Sequence, residues 1–173
     1  PTRRLGRRGR QRRQGGIDGH DQPAVMAGGQ RAGLARAVPL VALADPKDAR
    51  RIAVPPVLLN ERETPVLSPF TTAEVDYHLQ RLRGPQGNRA FLADLAAGRF
   101  EVPGFEPGDF KTISGLNERY RDLSPGLADL SMVVLAARYR TTRLMSFDYR
   151  HFRLMRPLQG GSFTLLPFDQ DDS

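Results

Sequence analysis

The chain of 173 residues contains no cysteine and no tryptophan. Without cysteine there is no disulfide scaffold, no thiol nucleophile, no iron–sulfur cluster and no cysteine-ligated zinc. Histidine is scarce: His20, His78 and His151 lie in separate segments, which argues against a His-rich metal site. Lysine occurs only at 47 and 111, so 24 of the 26 basic residues are arginine. No apolar run approaches the roughly 18 residues of a membrane helix, so a soluble, cytoplasmic chain with no membrane partner is expected. Any metal ion would be a hard cation held by oxygen.

What charge there is lies unevenly. The formal net charge is +7, and residues 1–36 hold nine arginines against Asp18 and Asp21, while the rest of the chain balances. The pattern is a neutral domain behind a basic leader. That leader has few apolar side chains, no period of 2 or 3.6, and Gly pairs at 15–16 and 28–29. Burial there cannot offset the entropy of ordering, so residues 1–36 are expected to be disordered. One functional reading is an arginine-rich arm on phosphates; a transit peptide fits less well, since the segment lacks serine and an amphipathic stripe. The alternative is translated text from a wrong start or shifted frame in a GC-rich gene. Residues 169–173 form a short acidic tail.

From residue 37 the text is patterned. Val38–Ala44 is a short apolar run, read by composition as a strand, with a polar break at 45–48. Pro65–Leu67 reads as a strand, Ser68 as an N-cap and Pro69 as the first residue of a helix to about Arg83, ended by Gly84-Pro85. Further helices are expected at about Arg89–Ala97, stopped by Gly98, at Pro107–Tyr120 and at Pro125–Arg138. Strands are expected at Phe100–Val102, Arg143–Phe147 and Phe163–Leu166. Strands separated by helices indicate an α/β fold with a parallel sheet covered on both faces.

Three carboxylates sit where a surface pattern would not put them. Glu74 shares a helix face with Phe70, Ala73 and Tyr77, whereas Asp76 points elsewhere, into solvent. Asp129 opens a helix that is apolar nearly all round. Asp148 follows the strand 143–147 at its carboxyl end, where ligands collect in open parallel sheets. Converging, the three would make an oxygen site for Mg²⁺ or Mn²⁺ suited to phosphodiester hydrolysis. Each also has a structural reading: Glu74 reaching to the helix edge, Asp129 as a dipole-favoured first-turn acid, Asp148 as a turn initiator.

The stretch 122–157, DLSPGLADLSMVVLAARYRTTRLMSFDYRHFRLMRP, resembles the C-terminal half of a PIN-domain ribonuclease of the VapC toxin type. PVLSPFTTAEVDYHLQRL upstream is similar to the family's strand and Glu-bearing helix. Over about 37–168 the resemblance implies a three-layer α/β/α domain with a central parallel sheet and a metal-dependent endoribonuclease. It also implies a homodimer, an RNA substrate and a cognate VapB-type antitoxin. The matching catalytic and metal-binding acids are Glu74, Asp129 and Asp148, with Mg²⁺ or Mn²⁺ as cofactor. Ser146 stands where Thr is frequent, and Ser131 keeps a small hydroxyl suited to a water or metal-shell contact.

At one position the chain departs from the pattern. The family's first strand ends in Asp, shortly before a Pro-Leu-Val-Ala-Leu helix start. Here Pro39–Leu43 supplies that start, making Val38–Ala44 a helix entry, and Arg36 takes the place of the first acid. The N-terminal strand is therefore expected to be missing or degenerate, most simply through a frame change. With it missing, Arg36→Asp alone should rescue little. Three functions stay open: a toxin-type ribonuclease impaired at Arg36 and active only if Asp45 or Asp48 substitutes, a non-catalytic module that binds antitoxin or RNA, and a non-functional product.

Overall fold

The computed structural model describes residues 33–60 and 63–169. Four short strands, β1 (Leu34–Ala35), β2 (Val66–Leu67), β3 (Arg143–Met145) and β4 (Thr164–Leu166), form one sheet in the order β2-β1-β3-β4. Every pairing is parallel. Leu34 faces Val66 on one side and Leu144 on the other, and Ala35 likewise faces Leu67 and Met145. Glu101 adds an isolated bridge to Val66 in place of the expected strand at Phe100–Val102.

Because side chains alternate along a strand, the sheet has two faces with separate cores. Leu34, Val66, Leu144 and Leu165 pack on one face with Ile113, Leu130 and Phe152. Ala35, Leu67, Met145 and Leu166 pack on the other with Leu40, Val54, Val75 and Phe91. The first face is covered by α5 (Pro107–Arg119), α6 (Leu127–Arg138) and α7 (Tyr149–Leu154), and the second by α1 (Ala37–Ala44), α2 (Val54–Asn60), α3 (Pro69–Arg83) and α4 (Pro85–Ala96). Strands buried on both faces have no polar alternation, which is why they read as short apolar runs. The layers are α/β/α. No helix among the described residues is long and apolar enough to cross a membrane.

Several local signals act as the sequence indicates. The Ser68 hydroxyl accepts from the Phe70 N–H at 3.2 Å and Pro69 opens α3. Gly98, at φ +68°, follows α4 as its left-handed cap. Others differ. The segment read by composition as a strand at Val38–Ala44 is helix α1. The helix expected from Arg89 begins already at Pro85: Gly84, at φ +62°, both ends α3 and starts α4. Helices α2 and α7 carry no strong period and were not expected. The buried face of α3 is Thr71, Val75 and Leu79, not Phe70, Ala73 and Tyr77. Counting Thr71 as polar hid this stripe; its hydroxyl lies 3.8 Å from the Met132 sulfur in the core.

The central strand is short rather than absent. Leu34 and Ala35 are both buried, and the Arg36 N–H continues the ladder to the Met145 carbonyl at 3.1 Å. The folded domain thus includes Gly33–Arg36, which the charge break had placed in the leader. Residues 1–32 of that leader and 170–173 of the acidic tail lie outside the described residues, whereas Asp169 is anchored to Leu165.

Candidate functional site

The carboxyl ends of β1 and β3 deliver two residues side by side: Arg36 directly after β1, and Asp148 three residues after Met145. Asp148 is oriented by its own turn, since the buried Ser146 hydroxyl accepts from the Asp148 N–H at 3.0 Å. Asp129 enters from the third position of α6, where an acid interacts favourably with the helix dipole. It is a buried carboxylate on a helix whose residues 128–136 are all buried.

Arg36 joins the two acids. One guanidinium nitrogen contacts Asp129 Oδ1, and the other lies 3.8 Å from Asp148 Oδ2. The Arg36 and Asp129 side chains are only 11% and 8% exposed, so this is a buried ion pair. The guanidinium also lies over the Phe152 ring, 5.2 Å from its centroid, a favourable cation–π arrangement. His151, one turn along α7 from Asp148, places Nδ1 3.5 Å from Asp148 and 3.7 Å from Asp129. The contacts are close but not aligned: Asp129 Oδ1 and His151 Nδ1 make no hydrogen bond.

Of the three acids singled out from the sequence, Asp129 and Asp148 therefore share one cluster. Glu74 is exposed on α3, with no ion pair or hydrogen bond to either. Asp76 is half-buried, not solvated, and accepts from the Asn88 side chain of α4. Asp45 and Asp48 serve local turns: Asp45 accepts from the Lys47 N–H, and Asp48 accepts from the Arg50 backbone and guanidinium. The Arg50 hydrogen bonds hold the Asp48 carboxyl below its ordinary range. Ser131 is buried, with its hydroxyl 2.6 Å from that of Ser68 and 2.6 Å from the Ala128 carbonyl. It ties the start of α6 to the start of α3. His151 was overlooked by residue reading; its only sequence signal was the i, i+3 spacing from Asp148.

Ribonuclease VapC26 of Mycobacterium tuberculosis is 34% identical to this chain over 128 residues, spanning 74% of the chain and 95% of that protein. The chain belongs to the VapC family of PIN-domain ribonuclease toxins. No family model matches it. The crystal structure of M. tuberculosis VapC20, described as a sarcin-ricin loop cleaving toxin, superposes with a TM-score of 0.63 at 14% identity. It covers 69% of this chain and 92% of that one, which supports the shared fold.

VapC proteins are generally Mg²⁺-dependent. The donor set here does not fit such an ion. A guanidinium lies between the two clustered carboxylates. Among the described residues, no three His, Asp or Glu side chains converge as a metal would require. A divalent cation about 4 Å from a guanidinium meets a repulsion on the order of 8 kcal/mol at an effective dielectric near 20. In this VapC-family chain, Asp129 and Asp148 already have their cation.

Proposed function

We propose that this chain is a VapC-type protein directed to RNA whose metal-dependent cleavage is suppressed by Arg36. The observation that carries the reading is the buried contact of Arg36 with Asp129, with Asp148 alongside. Glu74, Asp129 and Asp148 are the acids it assigns to the family's metal chemistry, with Mg²⁺ or Mn²⁺ as the cation that Arg36 displaces. VapC toxins pair with VapB antitoxins; a VapB-type antitoxin and RNA are the partners this reading assigns to the chain, with a homodimer as its assembly.

Suppression through charge has a direct test. The strand that positions residue 36 is present and in register, so a single Arg36→Asp exchange returns a carboxylate to a place the backbone already holds. The unmodified chain should cleave RNA negligibly in Mg²⁺ or Mn²⁺. Arg36→Asp should gain metal-dependent cleavage, and Asp129→Asn in that background should remove it. Strong metal-dependent cleavage by the unmodified chain, lost on Asp129→Asn, would overturn the proposal.

A further inference from the structure

Around Asp148 along the chain stand aromatic rings that make no ion-pair contact with the cluster, joined by a third from the turn after β4. Phe147 and Tyr149 flank Asp148 in sequence, and Phe168 comes from the turn after β4. Phe168 meets Tyr149 edge-on at 5.3 Å between centroids and Phe147 at 6.4 Å. Two of these rings are half in solvent: Tyr149 is 45% and Phe168 51% exposed. We propose that Phe168 and Tyr149, backed by Phe147, form a stacking platform for an unpaired base of single-stranded RNA, and that it works without a metal ion.

The platform is held in place. Asp169 accepts from the Leu165 N–H at 2.8 Å through its side chain, and its own N–H donates to the Leu165 carbonyl at 2.7 Å. Arg153 of α7 pairs with the same Asp169 carboxylate, fastening the Phe168 turn to the helix that begins with Tyr149. On the far side, the Arg50 guanidinium lies over the Phe147 ring, 5.1 Å from its centroid. Rings fixed at this level lose little freedom when a base lands on them, and every base offers a π-face.

Charge favours an RNA occupant over a purely apolar one. Arg150 is exposed beside Tyr149 and has no ion pair among the described residues. Asp129 and Asp148 would repel a phosphate arriving at the platform edge, but Arg36 offsets one of the two negative charges. In a site with Asp at 36, that neutralisation would fall to a cation. The choice of RNA rests on the functional reading above; the absence of a metal requirement rests on Arg36.

The test uses the full chain and a short single-stranded RNA carrying 2-aminopurine, in EDTA, so that cleavage plays no part. The probe fluorescence should be quenched on binding. Phe168→Leu should weaken binding roughly 5- to 100-fold, while Phe168→Tyr keeps it, because stacking needs the ring and not its apolarity. Tyr149→Leu, at an exposed helix start, should weaken it in the same direction and serves if Phe168→Leu does not fold. Arg150→Gln should reduce the dependence of log affinity on log salt by about 0.7, the share of one phosphate contact on a single strand. Residues 1–36 contain no Phe, Tyr or Trp, so stacking on the probe base, read as quenching, reports the platform and not the basic leader. No quenching with the unmodified chain in EDTA, or equal affinity for Phe168→Leu, would overturn the platform. So would loss of a VapB-type partner with RNA affinity unchanged. Neither result would bear on cleavage by Arg36→Asp, which tests the functional reading separately.

Discussion

On its C-terminal side the carboxylate site is made by α6 and the turn into α7, which deliver Asp129 and Asp148 with a favourable helix dipole and a serine-capped turn. On its N-terminal side it is made by a two-residue strand that delivers a guanidinium. Both sides bring a charged side chain to the cluster, and they differ in sign: a guanidinium after β1 meets carboxylates from α6 and from the turn into α7. The difference teaches that buried carboxylates are tolerated where the neighbouring strand supplies the opposite charge. Arg36 gives Asp129 a counter-charge that burial otherwise makes costly to omit.

The largest effect should come from taking that counter-charge's partner away. Asp129→Ala leaves the Arg36 guanidinium buried with only a distant acid, and removing one member of a buried pair costs about 3–5 kcal/mol. Thermal denaturation should show a midpoint lower by roughly 10–20 °C for a domain of this size. The double exchange Arg36→Leu with Asp129→Leu should regain most of it, and a single exchange with no loss would break the comparison. Next in size is the response to metal. Arg36→Asp should be stabilised by about 2–3 kcal/mol with Mg²⁺ or Mn²⁺ at 100 times its dissociation constant, while the unmodified chain shows no shift in the same scan.

Smaller effects sharpen the picture. Ser131→Ala removes the hydroxyl bridge to Ser68 and should cost about 1 kcal/mol in denaturant unfolding. The Asp169–Arg153 pair is partly exposed, so solvent screening keeps its contribution small. The Arg153 hydrogen bond, with the Leu165 N–H, holds the Asp169 carboxyl below its ordinary value of 3.8. Its contribution is therefore complete above that pH and disappears as pH falls through the lowered folded value. The stability gap between the unmodified chain and Asp169→Asn should be present at pH 7 and close in acid. Smallest of all, Glu74→Gln should change stability by less than about 0.5 kcal/mol, as an exposed helix position does. A larger loss would show that Glu74 reaches the cluster after all.

Much of the C-terminal half could be read from its residues because its signals are local. Leu127–Arg138 is apolar nearly all round, so Asp129 stood out as a buried acid, and the strand before Asp148 is bounded by turn residues. The family resemblance identified the fold and directed attention to Arg36. The N-terminal side was harder. A strand of two residues has no period to detect, and Leu34–Ala35 is a strand only because β2 and β3 lie on either side to pair with it. The face of α3 was misread because Thr71 spends its hydroxyl inside the core. Ser68, legible as an N-cap, meets Ser131 across 63 residues of chain, information that spacing along one element does not contain, whereas His151 had only its i, i+3 spacing from Asp148 as a signal.

The pairing of β1 has a consequence in time. Leu34 is matched with Leu144, so about 110 residues must be made before the partner exists, roughly 5–20 s at ordinary synthesis rates of 5–20 residues per second. Val66 follows Leu34 by 32 residues, so for the rest of that interval the strand that will close the middle of the sheet has at most one neighbour available. Arg36 likewise waits for both of its acids. A chain stalled or cut before residue 144 would carry an open apolar edge, and such edges recruit other chains. The vulnerable period of this molecule is therefore its synthesis, when the centre of the sheet is waiting for its second neighbour.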